Sequence, residues 1–317
     1  MLKQKGFRLL TFGTLLLIAL VFSPIMASAS SGDSADDSTS VSSDGEEEKT
    51  VNYNEKLKNK DRVSESYKGS GKVTPFRDNS VDLNENLNYV KPSKIIGSDD
   101  RVRVTNTTDF SYSAVVHLSI EYPDDPDTYG CTGFLVNEDT VVTAGHCVHD
   151  SSKGGWAKNI DASPGRNGTS MPYNTYQNKT LYSVKGWTEK EKPEYDYGAI
   201  KLDGSPGNNT GWFGYRTTNG DDLDPVGKSA TVSGYPGDKT IGTMWKDSDN
   251  INQALEYLLL YQIDTYDGQS GSSVYRNYSD TGQTAIAIHT GSLSSPYNRG
   301  TRITLDVFDN IDNWKDK

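Results

Sequence analysis

The sequence predicts an all-β protein, built either as a sandwich or as barrels. Its 317 residues include 30 glycines and 19 tyrosines, a composition that suits a loop-rich β protein better than a helical bundle. Short apolar segments recur along the last two thirds of the chain. Turn clusters rich in Gly, Asn, Asp and Pro separate these segments, and no helical patterns alternate with them.

The charge balance limits the classes of partner. Acidic side chains outnumber basic ones, and the formal net charge is -11. Because phosphate contacts require a surplus of Lys and Arg, nucleic-acid binding is disfavoured. The part after residue 94 remains acidic, which favours solubility and argues against binding to anionic membranes.

The first 29 residues are typical of a secretory signal peptide. A basic start precedes a mostly apolar run at 9–21, and the small residues Ala27, Ser28 and Ala29 fit a signal-peptidase site. A membrane anchor is the alternative, but the run is short for a span and Pro24 follows it. We therefore expect export, which also makes a disulfide permissible.

Residues 30–94 differ in composition from the rest of the chain. They are rich in Ser, Asp, Glu, Lys and Asn and offer few apolar side chains to bury, so they should not form a packed core alone. We interpret them as a largely disordered pro-segment; a flexible surface-attachment linker is the alternative. Lys94 is the expected cleavage point, with Ile95 or Ile96 as the new N-terminus. The remainder has the size of a two-barrel β domain.

The predicted elements follow one another from residue 114 onward. Apolar and β-branched runs predict strands at 114–120, 133–136, 140–143, 198–202, 230–234, 258–263, 273–275 and 284–289. Near the C-terminus Leu305, Phe308, Ile311 and Trp314 recur at intervals of three. This spacing predicts an amphipathic helix over 304–315 that packs on the body.

Only four histidines occur in the chain. His117 lies in the middle of a predicted strand and is expected to be a surface or structural imidazole, while His149 is expected to be exposed. His146 follows a strand end and precedes Cys147, whose one possible partner is Cys131. In an exported protein this pair should form a disulfide, contributing roughly 3 kcal/mol and holding His146 in place. Taken alone, the segment also fits a buried histidine beside a structural bridge.

Two further segments offer a nucleophile and an acid. Ser270 precedes Gly271 in a segment of small residues that can expose its hydroxyl, and the amides of Gly268 and Ser270 could form an oxyanion hole. Asp196 stands at the mouth of an apolar strand, where it could accept a hydrogen bond from an imidazole. Each signal is weak alone, because Gly-Ser turns and acids at strand ends are common.

The order of these residues makes the combination specific. His146, Asp196 and Ser270 follow one another as in the chymotrypsin-like proteases, and unlike the order in subtilisins or α/β-hydrolases. The predicted roles are therefore nucleophile for Ser270, general base for His146 and orienting acid for Asp196.

From Ile96 to the C-terminus, the sequence resembles the glutamyl endopeptidases secreted by Bacillus species and, at a lower level, the staphylococcal V8-type proteases. Besides the triad segments, the likeness rests on residues 164–168 (PGRNG), 233–239 (SGYPGDK) and 297–302 (YNRGTR). Within the Bacillus group it is strongest to an extracellular branch historically named as metalloproteases, although no H-E-x-x-H occurs here. The resemblance implies a chymotrypsin-like double antiparallel β-barrel, roughly 95–205 and 206–303, plus the C-terminal helix.

The resemblance also implies specificity for glutamate. The family's pocket histidine matches His289 and its pocket threonine matches Thr265; Thr290 and Gly291 complete the predicted substrate-binding set. An imidazole and a hydroxyl provide donors for a carboxylate. Gln269 stands where digestive proteases carry the aspartate that pairs with the freed N-terminus, so that activation switch is absent.

We therefore expect a secreted, monomeric serine endopeptidase that cleaves after Glu and less well after Asp. It would act on proteins and peptides without a cofactor, and another extracellular protease would activate it. A non-catalytic chymotrypsin-like binding module and a protease of different primary specificity are the alternatives. Asp124, Asp125 and Asp127 could hold a structural Ca²⁺, but a solvated acidic turn is the more common meaning of such a run.

Overall fold

Most of the chain beyond residue 93 is described by the computed structural model. It describes residues 36–49, 62–74, 87–89, 93–218, 224–293 and 296–317. The predicted signal peptide, with its cleavage residue Ala29, lies outside this part of the chain. No helix among the described residues is long and apolar enough to cross a membrane.

Five short strands precede the barrels. They are β1 (Ser40–Ser42), β2 (Glu47–Glu48), β3 (Val63–Ser64), β4 (Leu87–Asn88) and β5 (Val102–Arg103). The first four lie within the predicted pro-segment.

The first barrel closes through six antiparallel strands. They are β6 (Val115–Tyr122), β7 (Asp125–Leu135), β8 (Thr140–Thr143), β11 (Asn159–Pro164), β12 (Tyr176–Val184) and β13 (Gly198–Leu202). Their order is β11-β6-β7-β8-β13-β12, and β12 pairs back onto β11. A separate hairpin joins β9 (His149–Asp150) to β10 (Gly155–Trp156). Strand β8 consists of four buried β-branched residues, which favour extended backbone.

The second barrel repeats this closure. Its strands are β15 (Ser229–Gly234), β16 (Trp245–Ala254), β17 (Leu258–Tyr261), β18 (Ser273–Tyr278), β19 (Gly282–Ser292) and β20 (Asn298–Arg302). They follow the order β18-β15-β16-β17-β20-β19, with β18 also paired to β19; β14 (Gly214–Arg216) runs parallel to β19 outside the closed set. The double antiparallel barrel implied by the resemblance is thereby confirmed.

Among the described residues the helical elements with defined bounds are few, and the longest of them is at the C-terminus. They are α1 (Lys185–Thr188), α2 (Gly207–Thr210), α3 (Leu305–Asp316) and the 3-10 turns Tyr112–Ala114, Gly145–Cys147, Ser151–Lys153 and Pro193–Tyr195. The Thr304 hydroxyl caps α3 by accepting a hydrogen bond from the Val307 amide. Phe308, Ile311 and Trp314 are buried, as the sequence periodicity predicts.

The described parts of the predicted pro-segment contact both barrels. Strand β1 adds to the first sheet beside β12, and β3 pairs with β14 of the second. The Trp314 indole donates a hydrogen bond to Ser40 Oγ at 2.7 Å. The carboxylate of Asp37, only 1% exposed, lies 2.6 Å from Lys190 Nζ and 2.5 Å from Lys192 Nζ.

Candidate active site

His146 and Asp196 meet because their elements leave neighbouring strands. His146 lies in the 3-10 turn that follows β8, and Asp196 comes just before β13, which pairs with β8. His146 Nδ1 is 2.9 Å from Asp196 Oδ2 and 3.1 Å from Oδ1, and the His146 amide donates to Oδ1 at 2.9 Å. Because a carboxylate only accepts hydrogen bonds, Nδ1 carries the proton. In the neutral imidazole, which carries a single hydrogen, Nε2 then bears the lone pair.

The Nε2 atom of His146 is available to accept a proton. His146 Nε2 is buried and has no hydrogen-bond partner among the described residues. Ser270 is also almost completely buried, at 3% exposure. A general base needs this unprotonated nitrogen, and the serine–histidine bond of a triad often tightens only when substrate binds.

The Ser270 loop is fastened to both barrels. The amide of Thr132 in β7 donates to the Ser270 carbonyl at 2.8 Å, and the Gly271 amide donates to the His289 carbonyl at 2.7 Å. Gly271 has φ +87°. A Cβ on Gly271 would collide with the Thr132 carbonyl oxygen, so only glycine allows this approach.

Two amides of the loop are free to bind a developing anion. Those of Gly268 and Ser270 donate no hydrogen bond to any residue that the structure describes. Gly268 has φ +97°, and its carbonyl accepts a hydrogen bond from Thr132 Oγ1 at 2.8 Å. These are the donors that the sequence predicts for an oxyanion hole.

A disulfide joins Cys131 to Cys147, as expected. It connects β7 to the turn that carries His146, and one ring nitrogen of His146 lies within 4.8 Å of both sulfurs. The Tyr122 hydroxyl also donates to the His146 carbonyl at 2.7 Å. The histidine is thus held by a covalent bridge, a carboxylate and a phenol.

His289, Thr265, Thr290 and Gly291 make up the candidate specificity site. The His289 imidazole is fully buried on β19. Its Nδ1 lies 2.7 Å from the Tyr261 hydroxyl, and its Nε2 lies 2.8 Å from Ser93 Oγ. Burial, with a further contribution from His146, lowers the pKa of His289 to about 3. The ring is therefore neutral at neutral pH.

Two hydroxyls of this site are unpaired. Those of Thr265 and Thr290 are buried and have no hydrogen-bond partner within the described part of the chain. Gly291 has φ +137° and follows a register shift between β19 and β20. Buried hydroxyls without hydrogen-bond partners are uncommon, and a bound ligand would supply the missing hydrogen bonds.

Residues of the predicted pro-segment lie at both the serine loop and the specificity site. Ser93 contacts His289 as described, and its amide donates to Asp267 Oδ1 at 3.1 Å. The ring of Tyr89 packs so closely on Gly268 that a Cβ there would collide with it. The full-length chain therefore places its own residues beside Gly268 of the serine loop and beside His289.

The predicted processing residues are held by the second barrel. Lys94 and Ile95 are half-buried. The Lys94 carbonyl accepts a hydrogen bond from Asn298 Nδ2 at 2.8 Å, and the Lys94 amide donates to Asn298 Oδ1 at 3.2 Å. The Ile96 amide donates to Asp264 Oδ1 at 2.7 Å.

The other two histidines lie apart from the triad contacts. His117 is buried, with Arg166 Nη1 donating to its Nδ1 at 3.2 Å, and burial lowers its pKa well below the usual range. It is structural. The expectation that His149 is exposed was wrong: the ring is half-buried, edge-on to Trp156 at 5.0 Å. The β9–β10 hairpin provides this cover.

Tyr261, Ser93, Asn298 and Asp264 were not selected from the sequence as site residues. Tyr261 is 28 positions and Ser93 is 196 positions from His289. A tyrosine in the apolar run Leu258–Ile263 was the one local signal, because a buried phenol usually needs a polar partner. The other three contacts depend on folding of distant segments.

Comparison with known proteins gives concordant matches. Residues 101–314 match the family described as Trypsin. An "Extracellular metalloprotease" of Bacillus subtilis (strain 168) is 54% identical over 314 residues, covering 98% of this chain and 97% of the relative. A "Glutamyl endopeptidase" of Bacillus licheniformis is 42% identical over 287 residues, covering 87% and 88%. A solved structure, "Glu endopeptidase in complex with MPD", aligns with a TM-score of 0.62 at 26% identity, covering 70% of this chain and 100% of that one.

The first relative's name raises the question of a metal. Among the described residues, the one group of three or more suitable side chains with clustered ligand atoms is Cys131, His146 and Cys147. Its two sulfurs are joined to each other, whereas a metal requires thiolates. The imidazole is bound to Asp196. This donor set does not fit a resident metal.

Replacing Cys131 and Cys147 together by alanine should lower the free energy of unfolding by roughly 3 kcal/mol, because the unfolded chain loses its cross-link. Catalytic activity should also fall, since the His146 turn loses its anchor. Denaturant unfolding with and without reductant measures the first effect. The double variant, as control, should not respond to reductant. Unchanged stability and activity of the fully reduced wild type would contradict this role.

Proposed function

Because the chain belongs to the trypsin family of serine proteases, with Bacillus glutamyl endopeptidases among its relatives, we propose that it is a secreted endopeptidase that cleaves after Glu and less well after Asp. The proposal depends on the surroundings of His289. Its imidazole is buried and neutral, and its Nε2 lies 2.8 Å from the hydroxyl oxygen of Ser93. The relative that is 42% identical and named for glutamyl specificity supports it.

The proposed reaction uses the triad in its usual roles. Ser270 Oγ attacks the carbonyl carbon of the scissile bond, and His146 Nε2 takes the hydroxyl proton. His146 then protonates the leaving amine, and water hydrolyses the acyl-enzyme by the same steps. Asp196 keeps the imidazole oriented and stabilises its charged form. The Gly268 and Ser270 amides stabilise the oxyanion, each worth roughly 3 kcal/mol in comparable sites.

The proposed specificity rests on hydrogen-bond donors, to which the new α-amino group formed by cleavage after Lys94 would add a positive charge near the site. His289 would donate through Nε2 to the glutamate carboxylate, and the unpaired hydroxyls of Thr265 and Thr290 would supply further donors. A substrate carboxylate would relieve the cost of leaving these groups buried and unsatisfied. A lysine or arginine side chain could not accept these hydrogen bonds.

We further propose that the full-length chain is a zymogen. Ser93 Oγ occupies His289 Nε2, the nitrogen that would bind the carboxylate of a substrate glutamate. Tyr89 lies against Gly268 of the serine loop. Cleavage after Lys94 would release Ser93 from His289. Because the Lys94 side chain is positive and the specificity site favours an anion, another extracellular protease is expected to make this cut.

Ser270→Ala should abolish hydrolysis of a Glu-containing peptide and labelling by an organophosphate, while the protein still folds. The matched control is Ser272→Ala, two positions away and equally buried, which should retain labelling. Circular dichroism and thermal unfolding establish that both variants fold. Activity like the wild type's in Ser270→Ala would refute the serine-protease mechanism.

His289→Ala should lose about 10- to 100-fold in kcat/KM for a Glu peptide, because a buried carboxylate without its donor costs about 1–3 kcal/mol. The matched Gln peptide should lose much less. Steady-state kinetics on peptides that differ only in Glu, Gln, Phe or Lys at the cleaved position measures this. His149→Ala serves as the control variant. An equal loss on all four peptides would give His289 a structural role instead.

The purified wild-type precursor, incubated alone, should not gain an Ile95 N-terminus, and any self-cleavage should stop at Glu85, the nearest upstream glutamate. The Ser270→Ala precursor should reach Ile95 when a lysine-specific protease is added. N-terminal sequencing measures both. An Ile95 terminus produced by isolated wild type, but not by isolated Ser270→Ala, would demonstrate self-processing.

A further inference from the structure

His289 has a second partner that the proposed catalytic cycle does not use. Tyr261, on β17, is fully buried, and its hydroxyl lies 2.7 Å from His289 Nδ1. The two rings are 6.0 Å apart between centroids, with an interplanar angle of 47°. The phenol therefore approaches the imidazole in a hydrogen-bonding arrangement rather than by stacking.

The donors and acceptors of the phenol favour one direction for this hydrogen bond; on the imidazole, the backbone of Arg299 is a further hydrogen-bonding group, which acts against burial to raise the pKa of His289. The Tyr261 hydroxyl has no other hydrogen-bond partner in the described residues. If it accepted from Nδ1, its own hydrogen would be buried without an acceptor, which is costly. Burial raises the pKa of Tyr261 well above its usual range, so the proton stays on the phenol and is available to donate.

A donation to Nδ1 decides the state of the other nitrogen. A neutral imidazole carries one hydrogen, so an accepting Nδ1 places that hydrogen on Nε2. Nε2 is the atom that faces Ser93 Oγ at 2.8 Å. In the opposite tautomer, Nε2 would present a lone pair to an incoming carboxylate and repel it.

We propose that Tyr261 is a positioning residue for specificity: its hydroxyl donates to His289 Nδ1 and fixes the tautomer whose Nε2–H receives the substrate's acidic side chain. This inference rests on the proposed function, in which His289 binds glutamate. Tyr261 acts through His289 and touches neither the substrate nor the triad.

The strand order of the second barrel holds Tyr261 and His289 in this arrangement. Tyr261 pairs with Asn298 of β20, and His289 pairs with Gly300 of the same strand. A single strand between them therefore sets the separation of the two rings. Because both side chains are enclosed, neither can turn to another partner without unpacking the barrel core.

The first test reads the tautomer directly. In the full chain labelled with ¹⁵N-histidine, two-bond ¹H–¹⁵N correlation spectra distinguish Nε2–H from Nδ1–H rings. Only four histidines contribute, and the signal missing from His289→Ala identifies the one in question. The expected result is a neutral Nε2–H ring for His289. A neutral Nδ1–H ring, or a charged ring at neutral pH, would overturn the proposal without any Tyr261 variant.

The second test measures the consequence for substrates. Tyr261→Phe keeps the ring and removes the hydroxyl, so the processed variant should lose about tenfold or more in kcat/KM for a Glu peptide. The loss for the matched Gln peptide should be clearly smaller, and the rate of organophosphate labelling at Ser270 should be unchanged. Tyr275→Phe, which removes another buried hydroxyl of the second barrel, should leave the Glu-to-Gln ratio as in wild type.

The outcomes separate this inference from the function on which it rests. If His289→Ala loses Glu preference and Tyr261→Phe keeps it, Tyr261 has no positioning role and the glutamyl assignment stands. If neither variant changes a Glu-to-Gln ratio that favours Glu in the wild type, His289 does not bind the substrate carboxylate and this inference fails with that role; a wild type without Glu preference would overturn the glutamyl assignment itself. An equal loss on both peptides in Tyr261→Phe would show a structural role for the phenol.

Discussion

Two consecutive residues of β7 hold the proposed catalytic residues of both barrels. Cys131 is bridged to Cys147 beside His146, while Thr132 donates from its amide to the Ser270 carbonyl and from its hydroxyl to the Gly268 carbonyl. The disulfide thus fixes His146 to the same strand that fixes the Ser270 loop. Gly271 is required because no side chain fits where the loop approaches β7. A shift of β7 would therefore displace Ser270, His146 and the Gly268 and Ser270 amides, the groups proposed for catalysis, together.

The neutrality of His289 determines how an acidic substrate can be recognised. With a pKa of about 3, the ring provides no positive charge at neutral pH, and the chain as a whole carries -11. The ring itself therefore provides no long-range attraction for an acidic peptide, and its part in recognition depends on short, directed hydrogen bonds. For a directed bond the position of one hydrogen decides between attraction and repulsion. This is why the partner on Nδ1 matters although it lies on the far side of the ring.

The sequence predicts what is local and misses what depends on distant pairing. Strands β8 and β13 have the predicted bounds, because their apolar, β-branched runs are buried on the barrel. Strand β16 was not predicted from the sequence, because it has no apolar run: its side chains are mostly polar, and Ile251 is the one that is fully buried. The triad could be predicted because its members lie in short motifs whose order along the chain is specific. The partners of His289 were not, because they come from other strands or from the segment before residue 94.

The segment before residue 94 is held at several separate places, and a cut at Lys94 directly affects only the contact of Ser93 with His289. Ser93 would leave His289, but the contacts of residues 36–49 with the first barrel and α3 would remain. There, burial of Asp37 is opposed by hydrogen bonds from Lys190 and Lys192, and the net effect lowers the pKa of the carboxyl. A lowered pKa stabilises the docked state above the pKa of the free carboxyl, and this contribution is lost as the pH falls through the lowered value. At neutral pH a cut at Lys94 would leave this contribution in place, so that opening of the proposed specificity site and release of the segment would be separate steps.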